Sequence, residues 1–317
     1  MIWLSWRQQR SETLITVSLL ALLAAAFVPM GIHLSHLFGQ QDLARCIGRD
    51  TAACNVAIAN FGDHAGILRS LIAGGWFNFL PGLIGIGLAA PVIFDLESGT
   101  AQLAWTQSIT RRRWLGTKLG LMVGTALVSA AAFSLLFTWY QTPLDRIYGR
   151  FDEFDFEGVV PLGYVLFACG LALAVGVLWR KAAVAMLVAF GAYFGCRVFF
   201  DSWVRPRLLT PLAATWGPHS LGPGLRQAWI YLQVPSDKAG HVFTGSSTVL
   251  QSCSRSFGNG VKGLDPHCLM RHGAGYNHAV YQPASRFWEF QGIEFSLFAG
   301  VALLLIAFAA CRVLRTD

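Results

Sequence analysis

Apolar residues gather in six stretches of this chain, at positions 13–32, 75–94, 119–140, 159–178, 182–200 and 293–311. A helix needs about 20 residues to cross the hydrocarbon core of a bilayer. Lipid offers no partner to an open backbone N–H or C=O, so all six are predicted to be helices. The first is longer than a signal-peptide core and lacks a clear small-residue cleavage site, so it reads as an uncleaved anchor. Residues 1–12 are amphipathic. They predict a short helix lying flat at the interface, with Trp3, Leu4 and Trp6 in lipid and Arg7 and Arg10 in water. The pattern divides the chain into that segment, five spans within 13–204, a large polar loop at 205–290, and a sixth span with its tail at 291–317. In the large loop 228–234 and 241–244 read as short strands, and the loop as a small cap over the mouth of the spans. The fold class is an all-α membrane protein with six transmembrane helices.

Composition agrees. The chain is 54% apolar and 13% charged with mean hydropathy +0.50, whereas a soluble domain carries about 25% charged residues. A net charge of +7 first suggests nucleic acid. The cations cluster at span ends, however, where they set orientation and meet anionic lipid, so no nucleic-acid partner is expected. Arg7 and Arg10, Arg111 to Arg113 with Lys118, Arg180 with Lys181, and Arg312 with Arg315 all fall on one side of six crossings. By the positive-inside rule that side is cytoplasmic, with both termini inside the cell membrane. Trp3, Trp6, Trp105, Trp114 and Trp179 then mark the inner interface, and Trp76, Trp139, Trp203 and Trp288 the outer one. Segment 145–157 lies outside and carries five acids against two arginines; its run FDEFDFEG reads as a solvated or interfacial face, with attraction of cationic ligands as the alternative.

Several residues within this frame invite closer reading. Cys46 and Cys54 fall in the first outer loop, and Cys253 and Cys268 in the last. An oxidising space makes two local disulfides the expectation, with free thiols in loops as the alternative. The second span holds Pro81, Gly82, Gly85, Gly87 and Pro91. Such a helix kinks, and either lines a pathway or packs closely through its small residues. Gly116, Gly120 and Gly124, and Gly191 and Gly195, repeat every four positions, a weak signal of helix contact. Arg197 is a cation deep within a span, with Asp201 one helical turn on, so the two can pair. A charge there is a functional candidate by default, although near the outer end it can also snorkel.

Familiar catalytic signatures are missing: GxxxxGK[ST], GxSxG and HExxH do not occur. His219, His241, His267, His272 and His278 lie in the last loop, but their spacing fits no common metal-ligand pattern, and no metal is expected. An enzyme built on these histidines would act alone, and no spacing supports it.

The segment between spans two and three reads DLESGTAQLAWTQSITRRRWLGTK, from Asp95 to Lys118. Two carboxylates open it and four cations close it. It is too short for a domain, yet it can lie on the membrane surface and offer a handle to a soluble partner. With this segment, the start MIWLSWRQQR, Arg205-Pro206 and the stretch YQPASRFWEFQGIE from Tyr281 to Glu294, the whole chain resembles an ABC-2 type permease, the membrane half of an ATP-binding-cassette exporter. It is similar to an actinobacterial branch of that family. Many members place Pro where this chain has Ser108, a departure that bears on the loop's geometry.

The resemblance implies a dimer, with a second copy or a related permease, and two copies of a separate cytoplasmic ATPase that carry ATP and Mg. This chain itself would carry no cofactor. Coupling would run through Asp95, Glu97, Gly99, Thr100, Leu103, Trp105, Arg111, Arg112, Arg113 and Lys118. Asp95 and Glu97 would cap a short amphipathic helix, Leu103 and Trp105 would anchor it in an ATPase groove, and the arginines would hold span three at the lipid headgroups. The pathway between the copies would be bordered by Asn78, Pro81, Gly82, Gly85, Tyr193 and Arg197. The exported molecule would be hydrophobic or amphipathic: a drug, lipid or peptide. The rival reading is a membrane sensor or assembly subunit, whose outer loop binds a ligand and which signals through an ATPase.

Overall fold

Six long apolar helices run through the computed structural model, which describes residues 2–47, 49, 51–64, 75–100, 110–217, 225–245, 247–256 and 262–315. They are α1 (Ile2–Gln40), α3 (Phe79–Glu97), α4 (Arg111–Tyr148), α5 (Val160–Trp179), α6 (Ala182–Phe199) and α9 (Phe287–Arg315). Each is long and apolar enough to cross a membrane. The short α2 (Ala52–His64) follows α1. Helix α5 lies at the centre and packs against α3, α4, α6 and α9. Its neighbours approach closely because glycines face them. A side chain at Gly85 would meet the Val165 carbonyl and Cys169 of α5, one at Gly176 would meet Ile93, and one at Gly170 would meet α9. A second, aromatic core joins α1 to α4 through Phe27, Phe133, Phe137 and Tyr140.

Four expectations change here. Residues 2–12 do not form a separate flat helix. They belong to the unbroken 39-residue α1, because nothing between them and the span breaks a helix. Pro81 falls in the first turn of α3, where its missing N–H costs no helical bond, so it is not a kink site; Pro91 is interior. Gly116, Gly120, Gly124, Gly191 and Gly195 have open space where a side chain would stand, so they mediate no helix contact within this subunit. Trp114 is also buried rather than interfacial, whereas Trp139, Trp179, Trp203 and Trp288 are exposed. Trp105 lies outside the described residues, as do the side chains of Trp3, Trp6 and Trp76.

At one end of the spans sits a small cap. Strands β1 (Leu212–Trp216), β2 (Trp229–Ser236) and β5 (Tyr276–Gln282) form an antiparallel sheet in the order β1-β5-β2. The strand expected at 228–234 is β2, while 241–244 contributes only a bridge from Val242 to Ser236. A ribbon of β3 (Ser254–Ser256) and β4 (Lys262–Leu264), flanked by α7 (Thr248–Ser252) and α8 (Pro266–Arg271), completes the cap. Cys253 is joined to Cys268 there, and Cys46 to Cys54 beside α2.

Candidate functional site

The end opposite the cap carries the charged loop. Helix α3 stops at Glu97, and Gly99 follows with φ +73°, a conformation that a side chain would strain. Thr100 donates its hydroxyl to the Asp95 carboxylate at 3.1 Å. Asp95 also pairs with Lys118 of α4 at 2.7 Å, and the lysine is almost wholly buried. Glu97 reaches across to α6 and accepts the Ala182 backbone N–H at 2.9 Å. That N–H belongs to the first turn of α6, which otherwise lacks a partner, and the carboxylate also suits the positive end of the helix dipole.

Asp95 and Glu97 form the last turn of α3, and the short helix they were expected to cap falls in residues 101–109, outside the described residues. The two acids close α3 and tie its end to α4 and α6. Arg111, Arg112 and Arg113 form the first turn of α4, capped by the Thr110 side chain, with Arg112 and Arg113 exposed. Three cations on that turn run against the helix dipole, a cost of about 0.3–1 kcal/mol each that anions such as lipid phosphates would offset. Leu103 and Trp105 lie outside the described residues.

Near the cap the spans enclose a buried ionic cluster. Arg205 donates from Nε to Glu294 at 2.8 Å and from a terminal nitrogen to the other Glu294 oxygen at 2.9 Å. It also pairs with Asp155 and Asp201. Arg197 reaches Asp155 at 3.0 Å and Glu294 at 3.3 Å, and its guanidinium lies 3.7 Å from the Tyr164 ring centroid. The Tyr164 hydroxyl donates into the same carboxylates. Arg197 does not pair with Asp201, as the spacing suggested. Two buried carboxylates engage it, while Asp201 is half-exposed and turns to Arg205. Nor does Arg197 snorkel: it is only 4% exposed.

The backbone explains how both arginines face inward. Eight residues of α-helix would rotate Arg205 by about 80° from Arg197. The wider π-helical turn at Phe200–Val204 reduces that offset. Two buried guanidiniums against two buried carboxylates leave no net charge, the condition under which such a cluster is tolerated. Burial alone would raise the pKa of Asp155, but the Arg197 and Arg205 guanidiniums outweigh it and hold the carboxyl at about 2.

Next to the cluster, Gln291 accepts the N–H groups of Val159 and Val160, both at 3.0 Å, and so caps α5. Its amide donates to the Phe154 carbonyl at 2.9 Å. Glu157 is fully buried and held by Arg150 at 3.2 Å. Burial, only partly offset by Arg150, pushes its pKa up to about 7. Asp155 and Glu157 are thus internal, and the solvated-face reading of segment 145–157 fails for both.

Sequence reasoning missed Asp155, Tyr164, Arg205, Gln291 and Glu294 as one unit. A signal existed: Glu294 lies inside a predicted span, and an intramembrane acid calls for a cation. The pathway candidates meet only in part. Gly82 lies against the Tyr193 ring, and Gly85 against α5. Asn78 ends the 3-10 turn before α3, with Pro81 in the first helical turn. This seam is packed, which favours the close-packing reading of span two.

Cys253, Cys268 and His272 come close enough together to hold a metal ion. Both sulfurs are joined in the disulfide, however, so no thiolate is left to ligate. Among the described residues His278 instead meets Thr215 at 2.9 Å and His241 meets Asp237 at 2.9 Å. His219 lies outside them.

Six apolar crossings, braced at one end by a charged loop and at the other by buried ion pairs, define a multi-pass membrane protein. A family model described as ABC-2 membrane transporter related matches residues 17–205, more than half of the chain. The chain belongs to that family and is a transporter membrane subunit, not itself an enzyme. Membership implies an ABC ATPase partner in general. No curated protein and no solved structure matches it.

Proposed function

We propose that this chain is the permease subunit of an ATP-driven exporter. It works as a dimer, with a second copy or a related permease, and docks two separate ATPase subunits that carry ATP and Mg. The cargo class is a hydrophobic or amphipathic molecule. The observation that carries this reading is the brace beneath the loop between α3 and α4. Asp95–Lys118 and Glu97–Ala182 tie the loop's roots to α4 and α6, so a force on the loop reaches three spans at once. ATP-driven closure of the ATPases would rock these spans and open the pathway between the two copies of the permease. Both termini and the loop are then cytoplasmic.

The test is mild-detergent purification of tagged chain from its native host, with co-purifying proteins identified and ATP hydrolysis assayed. We expect a stoichiometric soluble protein with a P-loop, its binding lost in Trp105→Ala. With Glu97→Ala we expect binding to persist while stimulated hydrolysis falls, and Glu97→Gln, which keeps an acceptor for Ala182, to restore it. A permease that purifies without any ATPase overturns the reading.

A further inference from the structure

A cleft of about 340 Å³ opens beside the cap end of α4. Asp145, Arg146 and Arg150 supply its charged wall. Arg150 donates one N–H to Glu157, and its guanidinium lies 4.4 Å from the Phe287 ring centroid and 5.0 Å from that of Trp288. These contacts fix its position without using its terminal nitrogens. Arg146 is exposed at the rim. Trp288, itself 56% exposed, also heads a shallow furrow of about 720 Å³ on the outward face of α9, lined by Gly292, Ile293, Ser296 and Leu297, with the carboxylate of Glu289 at its head. Gly292 has nothing within 4 Å of where its side chain would begin. One Arg–Trp stack therefore joins a charged cleft to an apolar furrow that runs down a membrane span.

We propose that cleft and furrow together bind one membrane phospholipid, with its phosphodiester against Arg146 and Arg150 and one acyl chain along Gly292 and Ser296. Guanidinium forks match phosphate oxygens in shape and charge. Exposed Trp139 and Trp288 place the cleft at the level where headgroups lie. A free phosphate ion would fill the cleft and leave the furrow unused.

The test uses full-length protein in mild detergent, supplied with phosphatidylglycerol or with diacylglycerol of the same chains; retained lipid is counted by native mass spectrometry. We expect phosphatidylglycerol to be retained about tenfold better than diacylglycerol, the scale of one charge-assisted hydrogen bond. Arg146→Gln and Arg150→Gln should each lose about threefold of that preference. Gly292→Leu fills the furrow from a position with open space around its Cβ and should lose as much in retention with the cleft intact. Arg150→Gln also strips Glu157 of its partner; if that variant does not fold, Arg146→Gln and Gly292→Leu still decide. Equal retention of the two lipids, unchanged retention in Gly292→Leu, or displacement of the lipid by inorganic phosphate would each overturn the assignment.

Discussion

Arg205 meets three carboxylates, and two of them, Asp155 and Glu294, have little or no access to water. Arg205→Met removes half of the cluster's positive charge and leaves acids buried without compensation. Losing one partner of a buried pair costs about 3–5 kcal/mol, so we expect a large fall in thermal unfolding temperature in detergent. Arg205→Lys keeps the charge but not the planar fork, and should fall less. Acidity tests the neighbours. Glu157 has its pKa raised from 4.5 to about 7, so its contribution to stability is present below about pH 4.5 and is lost as pH rises through 7. Asp155 is the opposite case: its contribution is present above about pH 4 and is lost as pH falls toward 2. Glu157→Gln should lessen the decline between pH 5 and 7.5, and unfolding curves at those two values measure it. At this scale the sequence was only partly legible. Arg197 stood out as an intramembrane charge, but its partners lie 42 and 97 residues away, beyond any local spacing rule.

Among the helices, glycine has two distinct uses that the sequence does not separate. Gly85 lies 2.4 Å, from where its Cβ would stand, to the Val165 carbonyl, whereas Gly191 has open space around it. Gly85→Ala should destabilise the subunit by about 1–3 kcal/mol, the usual cost of overpacking. Gly191→Ala should be neutral or slightly stabilising, since alanine favours helix. Thermal unfolding of both variants checks the contrast, and a destabilised Gly191→Ala would mean that a neighbour outside this chain fills that space. The Glu97-Ser-Gly99-Thr100 run makes the same point. In sequence it resembled a family signature. In the fold it is a helix stop, with Gly99 at positive φ, Thr100 bonded back to Asp95, and Glu97 capping another helix. The cap of α6 was illegible because 85 residues separate donor from acceptor.

For the molecule as a whole, the disulfides lie outside the span bundle. Cys253–Cys268 closes a small core in the cap, with Leu269 and Ala274 around it. Cys46–Cys54 ties α2 to the 3-10 turn after α1. Mass mapping without reductant should recover both bridges and leave Cys169, Cys196 and Cys311 free. Cys253→Ser with Cys268→Ser should raise hydrogen exchange in α8 while the spans stay protected, because the α3–α5–α9 core does not include these residues. Hydropathy alone determined six crossings and their order, and that separate polar loops lie between spans two and three and before span six. Those are local properties, fixed by the need of each segment to satisfy its own backbone in lipid. Only the tertiary structure decided which charges meet. Asp155, Arg205 and Glu294 come from segments 50 and 89 residues apart, and their pairing follows from the cost of burying any one of them alone.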